Sequence, residues 1–464
     1  MRHTKNRKKM KSKAKIRYHS ALPVLEPDVA GIDIGSREHW VCGPQRKDGK
    51  PNVKSFGTIT SELERLVAWL ADQGVVSVAM ESTHVYWIPV YELLESNGIQ
   101  VLLVNARMIH KVPGRKTDVA DCQWLQMLHS CGLLKGSFRP SESVCQLRAL
   151  QRQVGNLMEE RTKTIMWMQK ALDQMNVQVH RAVSDLTGKT GMSILREIAA
   201  GERDPRALAE FRDKRCKHSK EEIAEYLKGT WREEHLFNLT SAIRFFDVIE
   251  AEIELYNNKL QEIMRDLQPP ERKDKPVPAH PKSAKEALIK RQGDHQKRTD
   301  LWRLCGFDLT TIDGISPTTA MAIVTEIGTD VSAFPSEKDF VSWLRLSPCR
   351  PISGGKQLRK RPNGTGANRM SGVLRLSAVS VGRSKTALGA YFRRLSRRKD
   401  GKIAVFATAR KIAQLVYRVM RWGQAYVDEG QEAYEARHKR KRLAGLISTA
   451  KEMGFELTPV KHST

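Results

Sequence analysis

The hydrophobic pattern of this 464-residue chain changes at Pro140, and that change limits the folds open to it. Between residues 28 and 59, three short runs rich in β-forming residues are separated by turn residues, which predicts an antiparallel meander. Helix-type and strand-type periods then alternate as far as Pro140. This alternation predicts an α/β domain over residues 28–140, with helices covering the faces of a sheet.

Residues that begin or end helices locate individual elements of this domain. The run SELERLVAWLADQ predicts a helix whose capping box is formed by Ser61 and Glu64, three residues apart. A second helix, VYWIPVYELLESNG, should end at Gly98, between the buried strands VVSVAMES and IQVLLVNA. The segment TDVADCQWLQMLHSCGLL, residues 117–134, has helical periodicity.

Beyond Pro140 the pattern becomes helical. Two long segments have apolar residues at spacings of mostly three, four or seven, which predicts two long helices in a coiled-coil region over residues 141–268. Their pairing, within one chain or between two, stays open. The apolar positions are Leu147, Leu150, Val154, Leu157, Ile165, Met168, Leu172 and Met175 in the first, and Leu239, Ile243, Phe246, Ile253, Leu260, Ile263 and Leu267 in the second.

The remaining segments differ in composition. Residues 1–27 predict a basic disordered arm, residues 269–300 a Pro/Lys-rich linker or insert, and residues 431–464 a basic C-terminal tail. Residues 301–430 predict a second, mostly helical domain. Its opening run, LTTIDGISPTTAMAIVTEIG, resembles a helix-hairpin-helix that faces a backbone phosphate, and a plain helical hairpin is an equal alternative.

The charge balance indicates the kind of partner. The chain has 79 Lys and Arg against 52 Asp and Glu, a net charge of +27, which favours binding to nucleic acid through its phosphates. No run approaches the roughly 18 to 20 apolar residues of a membrane span, so we expect a cytoplasmic protein that joins the nucleoid when bound. Seven scattered cysteines without a C-x-x-C pair argue against a zinc knuckle or a disulfide framework.

Four acidic residues occupy positions from which they could hold metal. Asp33 lies in the first strand, Glu81 ends a later strand, and Asp118 and Asp121 share one helix face. Converging carboxylates bind the divalent ions of phosphoryl transfer, so we expect Mg²⁺ here, with Mn²⁺ as an alternative. The order matches a RuvC-type, ribonuclease-H-like core. GIDIGS also resembles the phosphate loop of actin-like and sugar kinases, but the second glycine-rich loop of those proteins is missing from the sequence.

A serine in the second domain is a candidate nucleophile. Ser353 precedes Gly354 and Gly355, whose small size lets a backbone approach a phosphate closely. A flexible loop is the alternative interpretation. No histidine lies near Ser353 in sequence to serve as its base, so activation would come from the metal site. The cations that could hold a DNA strand are Lys356, Arg359, Lys360 and Arg361.

Together these residues resemble the DEDD-type transposases of bacterial insertion sequences, which are related to the Piv invertase and to bridge-RNA-guided recombinases. The resemblance covers nearly all of residues 28–430. It lies in AGIDIGSREHW, AMESTHVYW, GRKTDVADCQWLQ, IDGISPTTAMAIVTEIG and SPCRPISGGKQLRKRPNGTGANR.

The resemblance implies a fold and a mechanism. It implies a RuvC-like domain that binds magnesium, a coiled coil used in dimerisation, and a C-terminal transposase domain in which Ser353 is catalytic. It also implies a homodimer or homotetramer that acts on donor and target DNA, with a noncoding bridge RNA as guide. Two alternatives stay open: a RuvC-like junction endonuclease in which water attacks, and a non-catalytic nucleic-acid scaffold.

Overall fold

The structure, a computed structural model, divides the chain into two compact units, residues 1–139 and 140–464. The ranges that it describes are 23–45, 52–82, 85–105, 117–291, 293–347, 352–353, 356–357, 368–423 and 429–458. Most of the expected basic arm, residues 1–22, lies outside them.

The first unit is an α/β domain with a mixed five-stranded sheet in the order β3-β2-β1-β4-β5. Strands β1, β2 and β3 pair antiparallel, which confirms the predicted meander, and β1, β4 and β5 pair parallel. The strands are β1 Val29–Ile34, β2 Glu38–Cys42, β3 Val53–Gly57, β4 Ser77–Glu81 and β5 Gln100–Val104. The helices are α1 Thr60–Asp72, α2 Trp87–Ser96 and α3 Asp118–Ser130.

One face of the sheet is covered by α1 and α2. Ala30 and Ile32 of β1 are fully buried there in a cluster with Leu66 of α1 and Leu94 of α2. Burial of this kind contributes about 25 cal/mol for each Å² of apolar surface removed from water.

The predicted capping box is wrong. Helix α1 begins at Thr60, so Ser61 lies inside the first turn, and the N-cap residue Ile59 makes no side-chain cap. Glu62, rather than Glu64, reaches back and accepts a hydrogen bond from the backbone N–H of Gly57. The end of α2 agrees with the prediction, because Gly98 has a left-handed φ of 76° directly after the C-cap residue Asn97.

Helix α3 packs against the opposite face of β1 at unusually short range. A Cβ added to Gly31 would lie 2.4 Å from the backbone nitrogen of Gln126 and 2.5 Å from the carbonyl oxygen of Cys122. Any side chain at this position would therefore push α3 off the sheet. Glycine within a strand commonly marks such a close backbone approach.

The second unit is mostly helical. Its helices are α4 Glu142–Gln174, α5 Val179–Ala182, α6 Lys189–Ala200, α7 Pro205–Ala209, α8 Lys220–Tyr226, α9 Glu233–Asp266, α10 Ser283–Arg291, α11 His295–Cys305, α12 Pro317–Ile327, α13 Glu337–Trp343, α14 Arg369–Val381, α15 Ala387–Arg398, α16 Gly401–Trp422 and α17 Gly430–Glu452. Two short strands, β6 Ile352–Ser353 and β7 Lys356–Gln357, pair antiparallel.

The two predicted long helices, α4 and α9, pack against each other within one chain. Met168 and Leu172 of α4 share a buried cluster with Leu239 and Ile243 of α9. Helices α5 to α8, which lie between them in sequence, complete that cluster with residues such as Ile194, Leu208 and Ile223. The question of pairing within the chain, which periodicity left open, is thus answered for these two helices.

The Pro/Lys-rich segment, expected as a linker or insert, contains helices in its described residues. It contains α10 and the first part of α11, and its side chains hold the turn before α12. Lys282 Nζ donates to both oxygens of Asp313, at 2.7 and 2.9 Å, and His280 Nε2 lies 3.2 Å from the carbonyl oxygen of Thr310. The composition of the segment does not indicate these contacts, because their partners lie outside the segment.

The run that resembles a helix-hairpin-helix contains a 3₁₀ turn at Leu309–Thr311, followed by Gly314 with a left-handed φ of 85°. Ser316 then caps α12 by accepting a hydrogen bond from the backbone N–H of Thr319. Part of the basic tail, residues 431–464, forms α17. Within the described ranges, no helix combines the length and apolarity that crossing a membrane requires.

We predict that Gly31→Ala lowers the free energy of unfolding by about 1–3 kcal/mol, the usual cost of overpacking a tight contact. Thermal unfolding measures the loss, and hydrogen exchange of the β1 amides assigns it to the first unit. Gly445→Ala in α17 is the control, because a Cβ there meets nothing within 4 Å, and it should be neutral or slightly stabilising. Equal stability of Gly31→Ala and the natural protein would contradict the close packing.

Candidate active site

Asp33 and Glu81 lie at the carboxyl ends of neighbouring strands, on the same face of the sheet. The parallel register pairs Gly31 with Ala79 and Ile32 with Met80, so Asp33 and Glu81 are next in line. Neighbouring strands lie about 4.8 Å apart. Side chains alternate along a strand, and Ile32 and Met80 point into the core under α1 and α2. The two carboxylates therefore belong to the opposite face, which α3 covers.

Helix α3 runs antiparallel to β1. Near its C-terminal end, Gln126 Nε2 donates to the carbonyl oxygen of Val29, at 3.5 Å, and the carbonyl oxygen of Ser130 accepts bonds from Leu25 and Glu26. The first turn of α3 consequently lies towards the carboxyl end of β1, where Asp33 is found.

Cys122 gives independent support for this placement. Its thiol has a raised pKa, chiefly through burial and then through electrostatic interaction with Cys42 and Asp33. Cys122 is one residue beyond Asp121 and one helical turn beyond Asp118. The structure thus brings the first turn of α3 and the ends of β1 and β4 to one edge, where Asp33, Glu81 and Asp121 are half-buried and Asp118 is exposed.

The donors at this acidic edge are carboxylate oxygens, the hard ligands that Mg²⁺ and Mn²⁺ prefer. Among the described residues, no three His, Cys, Asp or Glu side chains are close enough to hold an ion together. The donor chemistry therefore fits a divalent ion, although the described side chains are not gathered around one point. Residues 83–84 and 106–116, which follow β4 and β5 in sequence, lie outside the described ranges.

Two residues that shape this edge were missing from the sequence-based set. Gly31 lets α3 approach the sheet, and its signal was a glycine within a strand, two positions before Asp33. Thr117 caps α3: its Oγ1 accepts a bond from the backbone N–H of Ala120, at 3.2 Å. A threonine directly before the first helical residue is a recognisable N-cap signal.

The predicted serine lies in a short hairpin of the second unit. Ser353 of β6 pairs with Lys356 of β7, which leaves two residues between the paired strands. Those residues are Gly354 and Gly355, and glycine pairs are favoured in two-residue hairpin connections. For Ser353 and Lys356 the structure describes the backbone only. Gly354, Gly355, Arg359, Lys360 and Arg361 lie outside the described residues.

Comparison with protein families adds an independent observation. Residues 30–177 match the family model for the DEDD domain of IS110-type transposases, described as "Transposase", and this segment contains all four acidic residues. Residues 308–393 match the model described as "Transposase IS116/IS110/IS902 family", and this segment contains Ser353. The chain belongs to the IS110 transposase family.

A curated relative of this IS110-type chain is known from Sinorhizobium fredii. It is named "Putative transposase y4pF/y4sB", and it is 29% identical over 134 residues. The match covers 27% of this chain and 34% of the relative. The IS110-type chain therefore spans about a third of the length of that relative.

We predict that Thr117→Ala destabilises the start of α3 by about 1 kcal/mol, because the backbone N–H of Ala120 loses its acceptor. Faster hydrogen exchange of the first-turn amides would report the change. Thr117→Ser is the matched control, since serine retains the capping oxygen. If the Ala and Ser variants exchanged at the same rate, the cap would not be what holds the turn that presents Asp118 and Asp121.

Proposed function

We propose that this chain is a DNA transposase of an insertion sequence, which cleaves and rejoins DNA. The observation that carries the proposal is the acidic edge: Asp33 and Glu81 end adjacent parallel strands on the face covered by α3, whose first turn adds Asp118 and Asp121. Membership of the IS110 transposase family supports the same activity. The net charge of +27 supports a nucleic-acid substrate.

Asp33, Glu81, Asp118 and Asp121 would hold Mg²⁺, or Mn²⁺ in its place. The strand order β3-β2-β1-β4-β5, with three antiparallel strands followed by two parallel ones, supports a RuvC-like fold for this domain. A bound divalent ion activates an attacking oxygen and neutralises charge on the phosphate. Thr117 and Gly31 position the residues at this edge, through the cap of α3 and the close approach of α3 to β1.

Ser353 is the proposed nucleophile. Its Oγ attacks the phosphorus of the scissile phosphodiester, so that a serine O–P bond forms as the bond from phosphorus to a deoxyribose oxygen breaks. The departing deoxyribose oxygen takes up the proton that Ser353 loses. The phosphoserine link retains the energy of the broken bond, and a deoxyribose hydroxyl of the new partner strand attacks it to rejoin the DNA. Lys356, Arg359, Lys360 and Arg361, with the amides around Gly354 and Gly355, would hold the strand.

The family resemblance extends this proposal to the assembly. Ser353 of one subunit would act with the carboxylates of another, in a dimer or tetramer that holds donor and target DNA. A noncoding bridge RNA would pair with both DNAs, and the protein would bind shape and backbone.

Helix α9 offers a surface for self-association. Phe237, Phe245, Val248 and Leu255 are each more than half exposed. At 100° per residue they fall within about 80° of one another around the helix axis, so they form one apolar stripe. Exposed apolar stripes of this kind mark protein interaction sites, and we assign this one to a second copy of the chain.

We predict that Ser353→Ala abolishes the covalent protein–DNA adduct and strand exchange, because no serine oxygen remains to attack. Labelled DNA that migrates with denatured protein measures the adduct. Ser380→Ala, at an exposed position on α14, is the control and should leave the adduct intact. Asp118→Asn should also remove the adduct, whereas Asp72→Asn at the end of α1 should not.

Two results would change the assignment. Cleavage at the full rate in Ser353→Ala would favour a RuvC-like junction endonuclease in which water attacks. Unchanged recombination in Asp118→Asn would remove the metal hypothesis, and binding of DNA without cleavage by the natural protein would favour a non-catalytic scaffold.

We predict that Phe245→Glu shifts the protein towards a smaller oligomer in sedimentation velocity, because a charge in an apolar interface costs several kcal/mol unless it is paired. Glu254→Lys is the control: it alters charge at an exposed position of α9 away from the stripe, and it should leave the oligomer unchanged. An unchanged sedimentation coefficient in Phe245→Glu would show that the stripe is not the subunit contact.

A further inference from the structure

Helices α15 and α17 pack side by side in the second unit, and their basic residues accumulate there. We define the basic face as a set of six positions on the two helices. Those on α15 are Arg394, Arg397 and Arg398, and those on α17 are His438, Lys441 and Arg442. Arg397, Arg398, Lys441 and Arg442 are exposed, so their charges are open to a ligand.

The two helices are joined through rings and guanidinium groups. Tyr391 and Tyr434 meet edge to face with their centroids 6.4 Å apart, and the guanidinium carbon of Arg394 lies 5.5 Å from each ring centroid. Arg393 also donates to Gln431 Oε1, at 2.7 Å. Helix α17 has no buried residue of its own. It is therefore held by cation–π and polar contacts rather than by an apolar core.

Three cations of this face, from both helices, lie close to His438. His438 has a lowered pKa, caused by desolvation and by three neighbouring positive groups. Those groups are the guanidinium groups of Arg394 and Arg398 on α15 and of Arg442 on α17. The sequence from residue 438 to residue 451 contains no Asp or Glu. Upstream, Glu429 pairs with Arg437, outside the basic face.

We propose that the basic face of α15 and α17 docks the phosphate backbone of duplex DNA. The positive charges of the basic face repel one another, and a polyanion bound along the face would place negative charge beside them.

The rings of this face favour a duplex over a single strand. Proteins that bind single strands stack the bases on available aromatic side chains. Tyr391 and Tyr434 are instead occupied by each other and by Arg394. The face thus presents cations but no available aromatic ring for an unpaired base, and this arrangement favours the backbone of a duplex.

This docking surface goes beyond the residues assigned to the reaction. The family match of the second unit ends at residue 393, so the six positions of the basic face follow it in sequence. The choice of DNA over RNA rests on the proposed function. The electrostatic argument for a polyanion does not.

The test is binding of the full-length protein to a 30-base-pair DNA duplex of arbitrary sequence across a series of salt concentrations. The variant carries Arg398→Gln, Lys441→Gln and Arg442→Gln. Loss of three phosphate contacts should weaken binding at least tenfold near 0.15 M salt and reduce the slope of log K against log salt by about 2.7. The control carries Lys170→Gln, Arg206→Gln and Lys228→Gln, which remove the same charge from exposed positions elsewhere in the second unit.

The outcomes separate this proposal from the proposed function. Weakened DNA binding in the variant but not in the control supports the basic face, even if Ser353→Ala retains full cleavage. Equal loss of DNA affinity in the variant and the control would show that only the net charge matters, and this result would overturn the proposal. Unchanged DNA binding would also overturn it, and weaker binding only to an RNA duplex of equal length would assign the face to RNA. Equal melting temperatures of the two triple variants show that α17 remains folded.

Discussion

The contact between α3 and β1 determines the geometry on which the acidic edge depends. At Gly31 the two backbones approach so closely that no side chain fits between them, and the helix is held there by Leu125 and by Gln126, which reaches Val29. Because α3 runs antiparallel to the strand, its first turn lies towards Asp33 and not at the other end of the sheet. A helix shifted by one turn would move Asp118 and Asp121 by about 5.4 Å.

In each of the two units, side chains of like charge are placed near one another. The first unit places four carboxylates at one edge, and the second places guanidinium and ammonium groups of α15 and α17 side by side. Like charges repel one another. The proposed function would supply ligands of opposite charge to both places: divalent cations to the carboxylates and phosphates to the guanidinium and ammonium groups.

Much of the local structure could be predicted from the sequence. The strands of the first unit, the helix of the aspartate pair and the two long helices follow from hydrophobic periods of two and 3.6 residues. Composition and short motifs alone did not indicate which residues make contact. Residues 269–300 contain many prolines and lysines, yet Lys282 and His280 bind the turn before α12. The capping box failed because α1 begins one residue before Ser61.

The sequence by itself determined the identities and local settings of the candidate site residues: an aspartate within a strand, a glutamate at a strand end, a D-x-x-D on a helix and a serine before two glycines. These patterns extend over a few residues, and backbone stereochemistry translates them directly into strand, helix or turn. Only the tertiary structure decided that Asp33 and Glu81 are neighbours on one face, since this depends on the parallel register of strands 48 residues apart. It also decided that α17 meets α15, a contact made by cations and rings that carry no periodic signal.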